Sequence, residues 1–269
     1  MSKKALQISL WPLDYMIEEA IGFLRENEPA EGYFVGFSGG KDSIVLEHLC
    51  RLAGVQYHVG YSFTGIDPPE VVKFIRKKYP NVVFYKPKMS FWKGIEKKMP
   101  PLKFRRWCCD VLKKDPTKHI KMSRALGMRM EESPKRASQP KIDYHKKYKQ
   151  YIYKPIFEWT EWHLWSFIEK YKLSFPSLYD EGFHRLGCVV CPFLLRPNQG
   201  ELKKHMIRWP KHYKRFEKAV YNWFYRNDRD KKESDLDTFE KYIEAYYRGF
   251  ERNKRDQGRP GITSVDELF

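Results

Sequence analysis

The chain of 269 residues carries 51 lysines and arginines against 34 aspartates and glutamates, which gives a formal net charge of +17 at pH 7. This charge favours polyanionic partners, either nucleic acid or phosphorylated small molecules, over a generally basic surface without a partner. A run of about twenty apolar residues is missing, which excludes a membrane-spanning helix. The start of the chain also lacks the pattern of a secretory signal, so we expect a cytoplasmic protein.

Strands and helices alternate along the first part of the chain. The apolar residues predict a helix over residues 16–24, a strand over 33–37 and a helix over 44–52. A second strand over 55–63, a helix over 68–78 and a third strand over 81–85 follow. This order predicts an α/β fold with a doubly wound parallel sheet, in which ligands bind at the carboxyl ends of the strands.

The later segments have weaker patterns. A helix is predicted to open at Trp107, another to run from Pro116 to Gly127, and residues 131–150 are expected to form a mobile or inserted loop. A strand over 151–156 and a helix over 161–171, capped by Thr160, precede a loop-rich stretch over 174–200. We expect a domain over 1–195, a helical extension over 196–252 and a flexible tail over 253–269.

A glycine-rich turn separates the first strand from the helix after it. Its residues are Ser38, Gly39, Gly40, Lys41, Asp42 and Ser43. The glycines let backbone N–H groups converge, and the start of the helix adds partial positive charge, so the turn suits an anion. The serine hydroxyls can donate hydrogen bonds, Lys41 can neutralise phosphate, and Asp42 can hold Mg²⁺ or orient the turn.

The spacing of this turn differs from Walker A, which has a longer spacer before its Gly-Lys pair. It resembles the PP-loop of the N-type ATP pyrophosphatases, which cleave ATP between the α and β phosphates. The resemblance implies ATP and Mg²⁺ as ligands. The alternative is a tight turn with a helix N-cap.

Four of the five cysteines occur in two pairs, Cys108-Cys109 and Cys188-Val189-Val190-Cys191. Four soft ligands suit Zn²⁺ or an iron–sulfur cluster, although an adjacent pair is awkward for one tetrahedral ion. Independent buried thiols are the further alternative, and Cys50 is expected to be a core residue. The adjacent pair with a distant CxxC resembles the [4Fe-4S] arrangement of the adenylyl-sulfate reductases.

Together these motifs resemble the phosphoadenosine-phosphosulfate reductase superfamily over residues 30–195. The resemblance implies a second nucleotide loop at Thr64-Gly65, although Phe63 replaces the usual aspartate. It also implies that Lys113 lies near cluster and substrate. An arginine loop that contacts phosphate or sulfate is implied by Gly127, Arg129 and Arg136.

The chain also departs from the assimilatory reductases. Its PP-loop is intact and no cysteine follows Cys191 in the sequence, where those reductases have a catalytic thiol. Both departures favour ATP over adenylyl sulfate, as in the branch that resembles DNA-phosphorothioation and tRNA-thiolation proteins.

We therefore expect an ATP-dependent sulfur-transfer enzyme with a [4Fe-4S] cluster. Its acceptor would be nucleic acid or a nucleotide, and a cysteine desulfurase or thiol donor would supply sulfur. The expected catalytic residues are Lys41, Asp42, Lys113 and Arg129. The alternatives are a reductase of adenylyl sulfate or its 3′-phosphorylated form with an external thiol, a flavin-adenine-dinucleotide-synthetase-like adenylyltransferase, and a non-catalytic, zinc-stapled nucleic-acid-binding protein.

Overall fold

The computed structural model describes residues 11–146, 148–195, 200–226 and 237–248, so the tail predicted over 253–269 lies outside the described residues. The chain forms two compact units that alternate along the sequence. The described parts of Met1–Phe63, Pro68–Lys86 and Pro116–Leu186 form the first unit. Thr64–Asp67, Pro87–Asp115 and the described part of Gly187–Phe269 form the second. The division of the sequence at residue 195 stays a prediction.

The first unit is built on one sheet of six strands. In chain order they are β1 Tyr33–Gly36, β2 Tyr57–Ser62, β3 Val83–Tyr85, β4 Ser123–Leu126, β5 Ile142–His145 and β6 Gln150–Tyr153. Their order in the sheet is β3-β2-β1-β4-β6-β5, and neighbours are parallel except for the antiparallel pair of β5 and β6. The predicted α/β class with a largely parallel sheet is confirmed.

The helices alternate with these strands and continue beyond them. They are α1 Leu13–Glu26, α2 Lys41–Ala53, α3 Pro69–Lys78, α4 Phe91–Lys97, α5 Trp107–Cys109, α6 Pro134–Ala137, α7 Glu161–Lys170, α8 Gly200–Arg208, α9 Pro210–Arg226 and α10 Phe239–Arg248. A π-helical turn, Asp110–Lys114, extends α5. In the first unit α1, α2 and α7 pack against one another, with Met16, Ala20 and Leu24 of α1 fully buried. Thr160 caps α7 as predicted, since its hydroxyl accepts a 3.3 Å hydrogen bond from the His163 amide.

Two sequence predictions about the middle of the chain are wrong. The helix expected from Pro116 to Gly127 is instead a 3-10 turn, Asp115–Thr117, followed by β4. Since β4 pairs with β1 on one side and β6 on the other, sheet hydrogen bonds outweigh the helical propensity of its residues. The loop expected over 131–150 contains α6 and β5, because β5 pairs with β6 across a short connection.

The second unit is helical and built around aromatic side chains. The rings of Phe91 on α4 and Phe216 on α9 stack at 6.3 Å, and Phe91 also stacks on Trp107 at 5.9 Å. The indole N–H of Trp223 donates to the Lys98 carbonyl at 3.1 Å, and the Tyr246 hydroxyl to a backbone carbonyl at 2.7 Å. Of the helices in the described ranges, none is long and apolar enough to cross a bilayer.

Candidate functional site

The glycine-rich turn lies in the first unit between β1 and α2. Gly39 has a φ of 72°, in the left-handed region that favours glycine. A Cβ there would lie 2.9 Å from the Ile75 side chain and 3.0 Å from Val71. The turn therefore packs closely on α3 at a position where only glycine fits without strain.

The two serines of the motif hold the turn together. The Ser43 hydroxyl donates to the Gly40 carbonyl at 2.8 Å and accepts a 3.1 Å hydrogen bond from the Ser38 amide. The hydroxyl oxygens of Ser38 and Ser43 are 3.2 Å apart. These contacts fix the direction in which the first amides of α2 point.

Lys41 is buried at the first position of α2, with 5 % of its surface exposed. Its Nζ donates to the His184 carbonyl at 2.9 Å and lies 3.4 Å from Glu161 Oε1. Its backbone amide donates to the Tyr179 hydroxyl at 2.9 Å. Burial raises the pKa of Tyr179, so this hydroxyl is a neutral acceptor. Its oxygen occupies the position at the helix N-terminus where an anion would accept the same hydrogen bond.

Arg129 meets the same turn from the segment after β4. It is 4 % exposed, and its Nε donates to Asp42 Oδ1 at 2.7 Å. Its Nη1 contacts the Glu131 carboxylate and the Trp159 carbonyl. Burial lowers the pKa of Arg129, but the two carboxylates outweigh this effect and keep it above its ordinary value.

Gly127 allows the segment after β4, which carries Arg129, to approach the glycine-rich turn closely. A Cβ at Gly127 would lie 2.9 Å from the Asp42 carbonyl oxygen, so the close approach of the two backbones needs glycine. Arg136, expected in the same loop, instead pairs with Glu132 one turn away. The structure thus brings Gly127 and Arg129 to the turn.

Two partners of Lys41 were missed from sequence. Tyr179 and Glu161 follow Lys41 by more than a hundred residues, and neither was assigned a role. Thr160 was identified as a helix cap, and this placed Glu161 in the first turn of α7. That placement alone could not identify Lys41 as its partner.

The second unit contains the four paired cysteines, Cys108, Cys109, Cys188 and Cys191, which we call the thiol cluster. Cys108 is buried in α5 next to the partly exposed Cys109, while Cys188 and Cys191 are both partly exposed. All five cysteines fall within the described ranges, and each is a free thiol.

Backbone contacts hold the Cys188–Cys191 loop in place. The Val189 amide donates to the Ile66 carbonyl at 2.8 Å. The Val189 carbonyl accepts a 2.9 Å hydrogen bond from the Tyr213 hydroxyl and is 3.1 Å from His205 Nδ1. These three contacts hold the backbone between Cys188 and Cys191.

The charges of this thiol cluster depend on one another. The hydrogen bond from Cys108 lowers the pKa of Cys109 below its ordinary value, with help from the nearby Lys113, against the opposing effect of burial. Burial raises the pKa of Cys188 to about 11, partly offset by Lys113. Interaction with Cys188 is the largest effect that raises the pKa of Lys113, and Asp67, Cys109 and Cys191 act in the same direction against the opposing effect of burial. Lys113 is therefore a cation that stabilises thiolate.

The predicted second nucleotide loop also belongs to this unit. The Thr64 hydroxyl lies 3.8 Å from Cys188 Sγ, and the Thr64 amide donates to Asp67 at 2.8 Å. Gly65 has a φ of 76° with open space around its Cα. Among the residues that the structure describes, no group of three or more His, Cys, Asp or Glu side chains has the arrangement of a metal site.

Comparison with known proteins gives a consistent result for more than half of the chain. Residues 32–194 match the model of the phosphoadenosine phosphosulfate reductase domain. An uncharacterized protein of Methanocaldococcus jannaschii is 28% identical over 222 residues, which cover 77% of this chain and 46% of that protein. The adenosine 5′-phosphosulfate reductase of Shouchella clausii is 24% identical over 177 residues, 60% of this chain and 71% of that enzyme.

Solved structures support the fold. The phosphoadenylyl-sulfate reductase of Candida auris, solved as a phosphate complex, superposes with a TM-score of 0.50 at 16% identity. The superposition covers 65% of this chain and 93% of that enzyme. The chain spans less than half the length of the first curated relatives that it matches, 46% and 41%.

Proposed function

Because the chain belongs to the phosphoadenosine phosphosulfate reductase domain family, we propose that it is an ATP-dependent sulfur-transfer enzyme. It would adenylate an acceptor, nucleic acid or a nucleotide, and release pyrophosphate. The observation that carries this proposal is the turn at the head of α2, which combines the left-handed Gly39 with two buried cations, Lys41 at the first helical position and Arg129 paired with Asp42. This arrangement suits a polyphosphate better than a single uncharged group.

In the first step an oxygen of the acceptor attacks the α-phosphorus of ATP. The bond from that phosphorus to the bridging oxygen breaks, and pyrophosphate leaves with the electron pair. Lys41 and Arg129 would stabilise the negative charge that develops, and contacts to His184 and Asp42 hold these cations in position. Asp42 is also the carboxylate at the turn that would hold the Mg²⁺ of ATP·Mg²⁺.

Nucleotide binding would change one contact at the turn. A phosphate oxygen would replace the Tyr179 hydroxyl as the acceptor of the Lys41 amide. The hydroxyl keeps this amide satisfied until the nucleotide arrives, since an unpaired buried amide is costly. We thus propose that the Tyr179 hydroxyl takes the place of a phosphate oxygen when no nucleotide is bound.

The thiol cluster fits a [4Fe-4S] cluster by the chemistry of its donors. Cys108, Cys109, Cys188 and Cys191 supply four free thiols, and Lys113 offsets the negative charge that their deprotonation creates. When bound, such a cluster would hold sulfur and deliver it to the acceptor.

In the second step sulfur at the sulfide oxidation level forms a bond to the acceptor. The bond from the acceptor to its adenylated oxygen breaks, and AMP leaves with that oxygen. With sulfide as the donor, the exchange involves no net oxidation and needs no electron carrier. A cysteine desulfurase supplies sulfur as a persulfide, so that route also needs a thiol donor, which reduces the persulfide and is itself oxidised to a disulfide.

A second candidate is an adenylyl-sulfate reductase that uses an external thiol. The resemblance to the Shouchella clausii enzyme favours it, since the match covers most of that reductase. In this case the turn would bind the phosphate of adenylyl sulfate, and sulfite would be the product.

Pyrophosphate release by anaerobically purified protein tests these alternatives. We expect release from ATP in the presence of tRNA, DNA or a free nucleotide. Sulfite formation from adenylyl sulfate with thioredoxin, without any ATP cleavage, would instead establish the reductase. Iron and acid-labile sulfide are measured on the same sample, and a colourless protein with stoichiometric zinc would contradict the cluster.

A further inference from the structure

One exposed face of α9 combines lysines and tyrosines at helical spacing. Its residues are Lys211, Lys214, Lys218, Tyr221 and Tyr225, which we call the α9 face. Since residues three and four positions apart are neighbours on a helix, these side chains form a single stripe. All five are exposed, and the 17-residue helix that carries them is about 25 Å long.

The lysines of the α9 face have no carboxylate partner in the described residues. Glu217 is the one acidic residue in the sequence of α9, and its carboxylate accepts a 3.0 Å hydrogen bond from Tyr247. The ion pairs that the described residues form leave Lys211, Lys214 and Lys218 unpaired. The positive charge of the stripe is therefore available to a partner.

The tyrosines of the α9 face are exposed although they are large aromatic residues. Tyr221 and Tyr225 are each 48% exposed, and their ring centroids lie 4.5 Å apart. The ring of Tyr221 packs edge-to-face against Phe239 of α10, with the ring centroids 5.3 Å apart. Two adjacent aromatic rings at the end of a basic stripe offer a stacking surface for flat ligands.

We propose that the α9 face binds a single-stranded segment of nucleic acid. The lysines would contact successive phosphates, and the tyrosine rings would stack on unpaired bases. A duplex buries its bases and offers nothing for the rings to stack on, which is why the aromatic pair points to an unpaired strand. The proposal deepens the proposed function, on which it rests only for the role of the bound strand as acceptor.

A second basic helix provides a matched control. Lys73, Lys77 and Lys78 of α3 are also exposed, and their removal changes the net charge by the same amount. The exposed large apolar and aromatic residues do not include any residue of α3. If charge alone attracts nucleic acid, the two helices should behave alike.

The test is fluorescence anisotropy with a labelled single-stranded oligonucleotide of mixed sequence, over a range of salt concentrations and without ATP. Replacement of Lys211, Lys214 and Lys218 by glutamine should lower the affinity about tenfold or more and reduce the slope of log K against log salt by about 2. The α3 triple variant, with Lys73, Lys77 and Lys78 replaced, should change the affinity less than about twofold.

A second variant tests stacking. Replacing Tyr221 and Tyr225 by leucine keeps apolar cover over Phe239 and should lower the affinity about tenfold with an unchanged salt slope. Circular dichroism and thermal unfolding of every variant should match the parent protein, because all the substituted side chains are exposed.

Three results would overturn the proposal. They are equal losses in the α3 and α9 triple variants, duplex binding as tight as single-strand binding, and binding to phosphatidylserine vesicles but not to oligonucleotides. Because the assay contains no ATP, failure here is distinct from failure of the proposed adenylation, which is measured by pyrophosphate release.

Discussion

The glycine-rich turn of the first unit and the thiol cluster of the second differ in how their charges are balanced. At the turn, Lys41 and Arg129 already have carboxylate partners, and the Lys41 amide has the Tyr179 hydroxyl. In the thiol cluster, Lys113 is the cation that stabilises thiolates, and the donors are four free thiols. Under the proposed function, the first site would exchange internal partners for an anion, whereas the second would bind a metal cation after losing protons.

Because the two sites use different groups in different units, we expect that each can be disabled without the other. A change at the turn should affect nucleotide chemistry and leave iron content intact, and a change at the thiols should do the reverse. Cys188→Ser and Lys41→Gln test this separation directly, and the remaining variants test the stability and ligand affinity of the first unit.

The largest effect is expected from Cys188→Ser. A serine hydroxyl is a poor ligand for iron, so iron should fall from about four per chain to near zero and sulfur transfer should be lost. ATP affinity should stay within about twofold of the parent protein. Cys50→Ala, in the buried part of α2, is the control and should keep its iron. Full iron in the Cys188 variant would remove this cysteine from the ligand set.

Lys41→Gln should have the next largest effect. Loss of a cation that stabilises the transition state should slow pyrophosphate release about 100- to 1000-fold, with unchanged iron content. Lys73→Gln on the exposed face of α3 is the matched control and should retain its rate. Pyrophosphate release by the Lys41 variant at the parental rate would separate the turn from the chemistry.

His48, on the helix that follows the turn, should make the stability of the first unit fall at acid pH. Burial, with a contribution from Arg51, lowers the pKa of His48 on α2 from 6.5 to about 4. The unfolded chain therefore binds a proton that the folded chain does not, and stability is lost as the pH falls from 6.5 to 4, by up to about 3 kcal/mol. Urea denaturation at several pH values should show this loss, and His48→Gln should make the curve flatter. An identical pH dependence in the variant would exclude His48 as its source.

Gly39→Ala should destabilise the protein by about 2 kcal/mol. The left-handed φ of 72° costs about 1 kcal/mol with any Cβ, and the contact with Ile75 adds about as much. Gly54 has a φ of 68°, so Gly54→Ala carries the same backbone strain, but the new Cβ meets open space. The variant should therefore be destabilised by only about 1 kcal/mol. Equal losses in the two variants would show that packing on α3 does not constrain the turn.

The smallest effect is expected from Tyr179→Phe. Removing the hydroxyl that competes for the Lys41 amide should raise ATP affinity about threefold to tenfold, measured by calorimetry. Tyr57→Phe, which removes a hydrogen bond to Glu47 on the same helix, should leave ATP affinity unchanged. Weaker ATP binding by the Tyr179 variant would mean that the hydroxyl contacts the nucleotide itself.

Structure that depends on neighbouring residues could be predicted from the sequence, and contacts between residues far apart in the chain could not. The strand, turn and helix around Gly39 follow from neighbouring residues, and the structure has them where the pattern indicates. The partners of Lys41 and the strand β4 depend on residues far away in the chain, so local periodicity carries no signal for them. The ligand role of the four cysteines remains a prediction.

The most direct test of the central claim follows the α-phosphate of ATP. Anaerobic protein is incubated with α-³²P-labelled ATP, sulfide and the acceptor that supports the most pyrophosphate release, and the products are separated. We expect labelled AMP and unlabelled pyrophosphate in equal amounts, both dependent on acceptor and both lost in Lys41→Gln. Labelled ADP with free phosphate, or sulfite from adenylyl sulfate without any labelled AMP, would contradict it.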